Sequence, residues 1–112
     1  MDTSPKEIRF YETPLGRVPF AEWMDSIEGQ DIYEIVMLRL DKAERGNLGE
    51  TKSVGDGVSE MIIEHGPGYR IYYGLLGKHG DIVVLLVGGE KKSQAADIKL
   101  AKKYWNDKEF NA

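Results

Sequence analysis

The stretch GPGYRIYYG, residues 66–74, decides the fold. Gly66-Pro67-Gly68-Tyr69 carries proline second and glycine third, the pattern of a type II turn whose third residue needs positive φ. Behind it runs Tyr69-Arg70-Ile71-Tyr72-Tyr73, aromatic and β-branched as a strand prefers. Residues 58–64 read as a strand on the other side of the turn, so the two form a hairpin. Successive strand side chains point to opposite faces. Tyr69, Ile71 and Tyr73 therefore share one face, and Arg70, Tyr72 and Gly74 the other. The first face suits helix packing, which leaves Arg70 and Tyr72 on an open face of the sheet.

Outward from the hairpin, residues 50–54 and 81–87 read as further strands. DIVVLLV, residues 81–87, is almost wholly apolar, as expected of a strand covered on both faces, and is read as the central strand. At the N-terminal end, residues 7–13 alternate, with Ile8 and Phe10 on one side and Arg9 and Tyr11 on the other. Between these strands lie two helical patterns. The first spans 19–27, with Pro19 at a first helical position and Phe20, Trp23 and Met24 on one face. The second spans 31–45, with Asp31 as its cap, a stripe of Ile32, Ile35, Val36, Leu40 and Ala43, and a stop at Gly46-Asn47. A third helix is expected over 93–105, with Ile98, Ala101 and Trp105 in one row and Leu100 and Tyr104 in the next. The order of strand, helix, helix, four strands and helix predicts an α+β fold, with helices laid on one mostly antiparallel sheet. Residues 1–112 read as one domain, with a tail from about 107 expected to fray.

Bulk composition narrows the function. The chain has 112 residues, 41% apolar and 30% charged, and no cysteine. Disulfides and thiolate metal sites are thereby excluded. The first ten residues have no signal-peptide core, and no apolar run approaches the ~20 residues needed to span a bilayer. A cytoplasmic protein is expected, with no membrane partner. The net charge of −4 argues against broad nucleic-acid binding, which relies on phosphate neutralisation. A local basic patch remains compatible with it.

Three places could carry chemistry. Residues 88–93, Gly-Gly-Glu-Lys-Lys-Ser, imitate a P-loop, but that motif needs glycines where Leu86 and Lys91 stand. Lys91 and Lys92 still precede a helix N-terminus and could hold a phosphate. Alternatively both are solvated and Ser93 is simply an N-cap. Arg70 beside Tyr72 suits a phosphate ligand, because a guanidinium is planar, permanently charged and bidentate. The alternative is a cross-strand ion pair with Glu60 or Glu64, worth ~0.2–1 kcal/mol. His65 and His79 are the two histidines, and two isolated imidazoles do not make a metal site.

Three pieces in order, GNLGETKSVGDGVSEM, GPGYRIYYG and LLVGGEKKSQAADIKLAKKYW, behind a strand and two helices, resemble the RelE/HigB superfamily of toxins. The likeness is stronger to its phage-derived addiction-module killer branch, and covers roughly residues 7–105. It implies a small α+β toxin neutralised by a helix-turn-helix antitoxin. It implies entry into the ribosome and metal-independent, cofactor-free cleavage of mRNA, in which a 2′-OH attacks the adjacent phosphate. On that likeness Arg70 stabilises transition-state charge and Lys91 and Lys92 hold phosphates; Tyr72, beside Arg70, is read as a further phosphate contact, and His65 as a proton-transfer group that replaces one the family places elsewhere. The sequence also departs from the pattern. Glu60-Met61-Ile62 stands where this branch often reads E-L-R, and Gln94-Ala95-Ala96-Asp97 has neither the tyrosine nor the histidine of other members; Asp97 is read there as support for the helix N-terminus. A second reading therefore stays open: a catalytically inactive module that keeps the antitoxin-binding fold. A third is a phage-related protein with unrelated binding. The oligomeric state is not fixed by either pattern or likeness.

Overall fold

The computed structural model describes residues 4–107; most of the tail expected to fray lies outside the described residues. Its elements run β1 (Glu7–Phe10), α1 (Pro19–Ser26), α2 (Gln30–Glu44), β2 (Thr51–Gly55), β3 (Val58–Ile63), β4 (Tyr69–Leu76), β5 (Ile82–Glu90) and α3 (Gln94–Asn106). A 3-10 turn, Lys91–Ser93, links β5 to α3. The strands form one sheet in the order β1-β5-β4-β3-β2. β1 is parallel to β5 and every other pairing is antiparallel. This is the α+β architecture expected; β5 is an inner strand, but β4 and not β5 holds the centre, because β1 alone pairs on the outer side of β5.

The sheet is the middle layer of three. On one face α1 and α2 bury Phe20, Met24, Ile32, Val36, Leu40 and Ala43 against Met61, Ile63, Ile71, Tyr73, Val83 and Leu85. On the other face α3 brings Ala101, Ile98, Tyr104 and Trp105 onto Val58, Tyr72, Val84, Leu86 and Val87. The face of Arg70 and Tyr72 is therefore covered, not open. The cause lies at the helix: Ala101, Ile98 and Trp105 form an apolar stripe that needs a sheet face of its own. Tyr11 joins this layer although β1 ends at Phe10; its backbone N–H bonds Leu85 O at 3.0 Å and its ring lies 4.9 Å from Tyr104.

Glycines make the layers close. A Cβ on Gly74 would overlap the indole of Trp105, and one on Gly88 would overlap the indole of Trp23. β5 runs to Glu90, three residues beyond the expected end at 87, because Gly88 and Gly89 pair with Ile71 and Arg70. A bulge lies in this ladder: Tyr72 faces Val87 while Tyr73 faces Leu85, so Leu86 is extra. Leu86 and Val87 consequently both point at α3.

The hairpin forms as expected, from Val58↔Gly74 to Ile63↔Tyr69. Its turn is shifted by one residue. The closing bond runs from Gly68 N–H to His65 O at 2.9 Å, and both Gly66 (φ 54) and Gly68 (φ 83) are left-handed. Two glycines flanking the proline permit this earlier closure. Gly29, not Asp31, is the N-cap residue of α2, and Asp31 sits in its first turn. At the other end Gly46 (φ 97) donates to Ala43 O and Asn47 to Lys42 O, each at 2.9 Å, as the stop signal implied.

Filling either glycine seat should displace an indole. Gly74→Val and Gly88→Val are each expected to cost about 1–3 kcal/mol, the usual range for overpacking. Urea denaturation followed by tryptophan fluorescence should give a lower midpoint at unchanged slope. Wild-type midpoints would mean that the indoles move aside freely.

Candidate functional site

The candidate residues gather at the end of the sheet where β4 begins and β5 ends. One backbone bond fastens this corner: Lys91 N–H donates to Gly68 O at 2.9 Å. It brings Lys91 beside the hairpin loop. Glu64, His65, Gly66, Pro67, Gly68 and Lys91 together line a depression of about 310 Å³. His65 and Lys91, 26 positions apart in the sequence (91 − 65), thus share one concavity. Lys92 is also exposed and lies 3.6 Å from Glu90 Oε1. His79 is exposed beyond the far end of β4.

His65 is held from the α2 side. Its Nε2 lies 2.9 Å from Asp31 Oδ2. A histidine oriented by a carboxylate has a fixed ring and a defined tautomer, which is the arrangement acid–base chemistry uses. The hydrogen bond from His65 is the first cause holding the Asp31 carboxyl below its ordinary value of 3.8, followed by the Ile32 backbone N–H. No local sequence signal marks this partnership, because Asp31 and His65 meet only through tertiary packing. A second depression, of about 420 Å³, lies on this side; Trp23, Glu28, Asp31, His65, Tyr69 and Glu90 are among its lining residues.

Arg70 lies behind the depression, only 6% exposed. Its Nε is 3.8 Å from Glu60 Oε2 and its Nη1 is 3.8 Å from Glu64 Oε1. Nη1 also donates to Tyr69 O at 3.1 Å. The cross-strand ion pair weighed from the sequence is present, and involves both glutamates. Glu60 is itself buried, and Gln94 Nε2 donates to its two oxygens at 3.2 and 3.1 Å. Gln94 offered no sequence signal for that task. A buried ion pair persists only when such bonds offset the loss of water.

Tyr72, expected as a phosphate contact, is fully buried beneath α3. It offers no surface to a ligand. Its hydroxyl has no hydrogen-bond partner. Burial first, and then the charges of Glu60 and Asp97, push its pKa well above the usual tyrosine range. Ser93 is the N-cap residue of α3 by position, but its hydroxyl makes no cap bond. It donates instead to Asp97 Oδ2 at 2.5 Å, with Glu90 O at 3.1 Å as the longer, alternative acceptor. Asp97 thereby steadies the helix start through Ser93, over Gly89, where a Cβ would collide with the carboxylate. Ile62 pairs with Arg70 across the hairpin, and Arg39 Nη1 donates to its carbonyl at 2.6 Å. Among the described residues, no group of three or more histidine, cysteine or acidic side chains could hold a metal ion, and no helix is long and apolar enough to cross a membrane.

The chain is thus a three-layer α+β protein with an imidazole–carboxylate pair and a lysine at one corner of its sheet. No family model and no solved structure matches it. It is 39% identical over 83 residues to an uncharacterized protein of Haemophilus influenzae (strain ATCC 51907 / DSM 11121 / KW20 / Rd), over 74% of this chain and 82% of that protein. The chain belongs to the same family as that protein.

The Asp31–His65 bond has a measurable sign. Asp31 is depressed in the folded protein, so any stability it adds is present above the ordinary carboxylate value and is lost as pH falls through the lower folded value. A carbon-13 NMR titration should place the Asp31 carboxyl midpoint below 3.8. In His65→Ala the midpoint should move back up towards 3.8. An unchanged midpoint would show that His65 does not donate to it.

Proposed function

We propose that the chain is a RelE/HigB-like toxin of a type II toxin–antitoxin pair, acting in the cytoplasm as a ribosome-dependent mRNA endonuclease. The observation that carries this reading is the meeting of Asp31-oriented His65 with Lys91 in one depression. Attack of a ribose 2′-OH on the neighbouring phosphate requires a proton acceptor, a proton donor and positive charge near the phosphorane. With Nε2–H turned to Asp31, His65 Nδ1 keeps its lone pair and serves as the base. The same imidazole, once protonated, returns the proton to the leaving oxygen. Lys91 and Lys92 hold phosphate oxygens. Arg70 adds charge from behind them. A helix-turn-helix antitoxin is the partner that silences the protein, and the ribosome with its mRNA is the target.

Two observations favour a second reading, the non-catalytic binding module. Arg70 is buried between two glutamates, and the net charge is −4. A site whose strongest cation is already paired suits protein binding as well as RNA.

Induced expression in a bacterial host separates the two. Wild type should arrest growth and create new 5′ ends inside translated messages. His65→Ala and Arg70→Ala should each reduce cleavage by about 10²-fold or more, the scale of a lost acid–base group or charge stabiliser. Normal growth with intact messages, from wild-type protein shown to be soluble and folded, would assign the chain to the binding module.

A further inference from the structure

Arg70 is surrounded by carboxylates and yet bonded to neither. Both separations are 3.8 Å, against about 2.8 Å for a charge-assisted hydrogen bond. Its Nε is buried with no hydrogen-bond partner. A guanidinium has five N–H donors, and the Tyr69 carbonyl takes one of them. The two glutamates also differ from each other. Glu60 is buried and fixed by Gln94. The Glu64 side chain is 74% exposed and stands at the rim of the depression.

We infer that Glu64 is a displaceable counter-ion, which covers Arg70 in the free protein and gives way to an anion of the phosphate class that bridges Arg70 and Lys91. The inference rests on the placing of the phosphate site at those two cations. Gly68 makes the bridge geometrically possible. The position its Cβ would take lies 3.7 Å from Arg70 Nη1 and 3.5 Å from the Cβ of Lys91. Arg70 Nη1 and the aliphatic stem of Lys91 therefore flank one point with no side chain between them, and the flexible end of Lys91 has the reach to turn its ammonium towards it. A phosphate oxygen pair can accept bidentately from the guanidinium, forming the short bonds that neither glutamate makes. Glu64 loses little on leaving, since its carboxylate is already in water. Glu60 stays and keeps the guanidinium aimed. Glu64 thus acts as a threshold, so that an anion must out-compete a resident carboxylate before it reaches Arg70.

The experiment is a titration with inorganic phosphate, followed through the Arg70 Nε–Hε NMR resonance, at fixed low ionic strength. Three folded proteins are compared: wild type, Glu64→Gln and Asp25→Asn. Asp25 is exposed on α1, and its substitution changes net charge equally at a remote place. Glu64→Gln should bind phosphate about tenfold more tightly than wild type, as expected for removing one competing charge at this distance. Asp25→Asn should match wild type. Adding Lys91→Ala to Glu64→Gln should remove most of the gain. Equal affinity in wild type and Glu64→Gln would overturn the inference. So would an equal gain in Glu64→Gln and Asp25→Asn, or no response of Arg70 in any variant. Cleavage of mRNA on translating ribosomes by the same wild-type protein is scored separately. Cleavage without an Arg70 response defeats the counter-ion alone; an Arg70 response without cleavage defeats the nuclease reading alone.

Discussion

The closeness of the three layers governs the rest of this structure. Two tryptophans, one on each side, press against backbone where the sheet has no side chain: Trp105 on Gly74 and Trp23 on Gly88. Indoles bury large apolar areas, and here they do so only because the facing strand is thin. The bulge at Leu86 serves the same end, by turning two consecutive apolar residues of β5 towards α3. The glycines that seat Trp23 and Asp97 are neighbours, Gly88 and Gly89, and they point to opposite faces. What imitates a phosphate loop in the sequence is therefore a packing device. It also fixes where the chain leaves β5, and hence where Lys91 meets the hairpin loop.

Much of this was legible in the sequence. The hairpin is signalled by its GPG punctuation, the interior strand by DIVVLLV, and the helices by apolar spacing. These are local signals, and local signals set the element order. The covering of the second face was not legible in the same way. Reading β4 by itself gives Arg70 and Tyr72 a common face, but not its burial. That depends on the stripe of Ile98, Ala101 and Trp105, some thirty positions away, choosing that face. The site divides similarly. His65, Lys91 and Arg70 stand out by residue type, whereas Asp31 and Gln94 acquire their tasks only through tertiary contact. Asp31 looked like a cap because it opens a helix; its carboxylate instead meets an imidazole.

The charged layer beneath α3 shows how a polar cluster survives in an apolar setting. Glu60 and Arg70 lie diagonally across the hairpin, since Glu60 pairs with Tyr72 and Ile62 with Arg70. Gln94, the first residue of α3, reaches down to Glu60. The cluster is incompletely bonded, with Arg70 Nε and the Tyr72 hydroxyl both lacking partners. Buried unpaired polar atoms cost ~1–3 kcal/mol each, so this corner stores less stability than the rest of the layer. A site that exchanges one anionic partner for another benefits from such incomplete bonding.

The two outer strands have a consequence of another kind. Free sheet margins are templates on which further chains can add, and proteins blunt them with brevity and charge. β1 has only four residues, and its Glu7 and Arg9 pair with each other on the surface. β2 is five residues long, mostly exposed, and reads Thr-Lys-Ser-Val-Gly. Lys52 sits at its second position, and a register shift between Ser53 and Gly55 bends its end. An incoming strand finds little length to pair with and a charge to bury at either margin. Both margins are thereby guarded against edge-to-edge self-assembly.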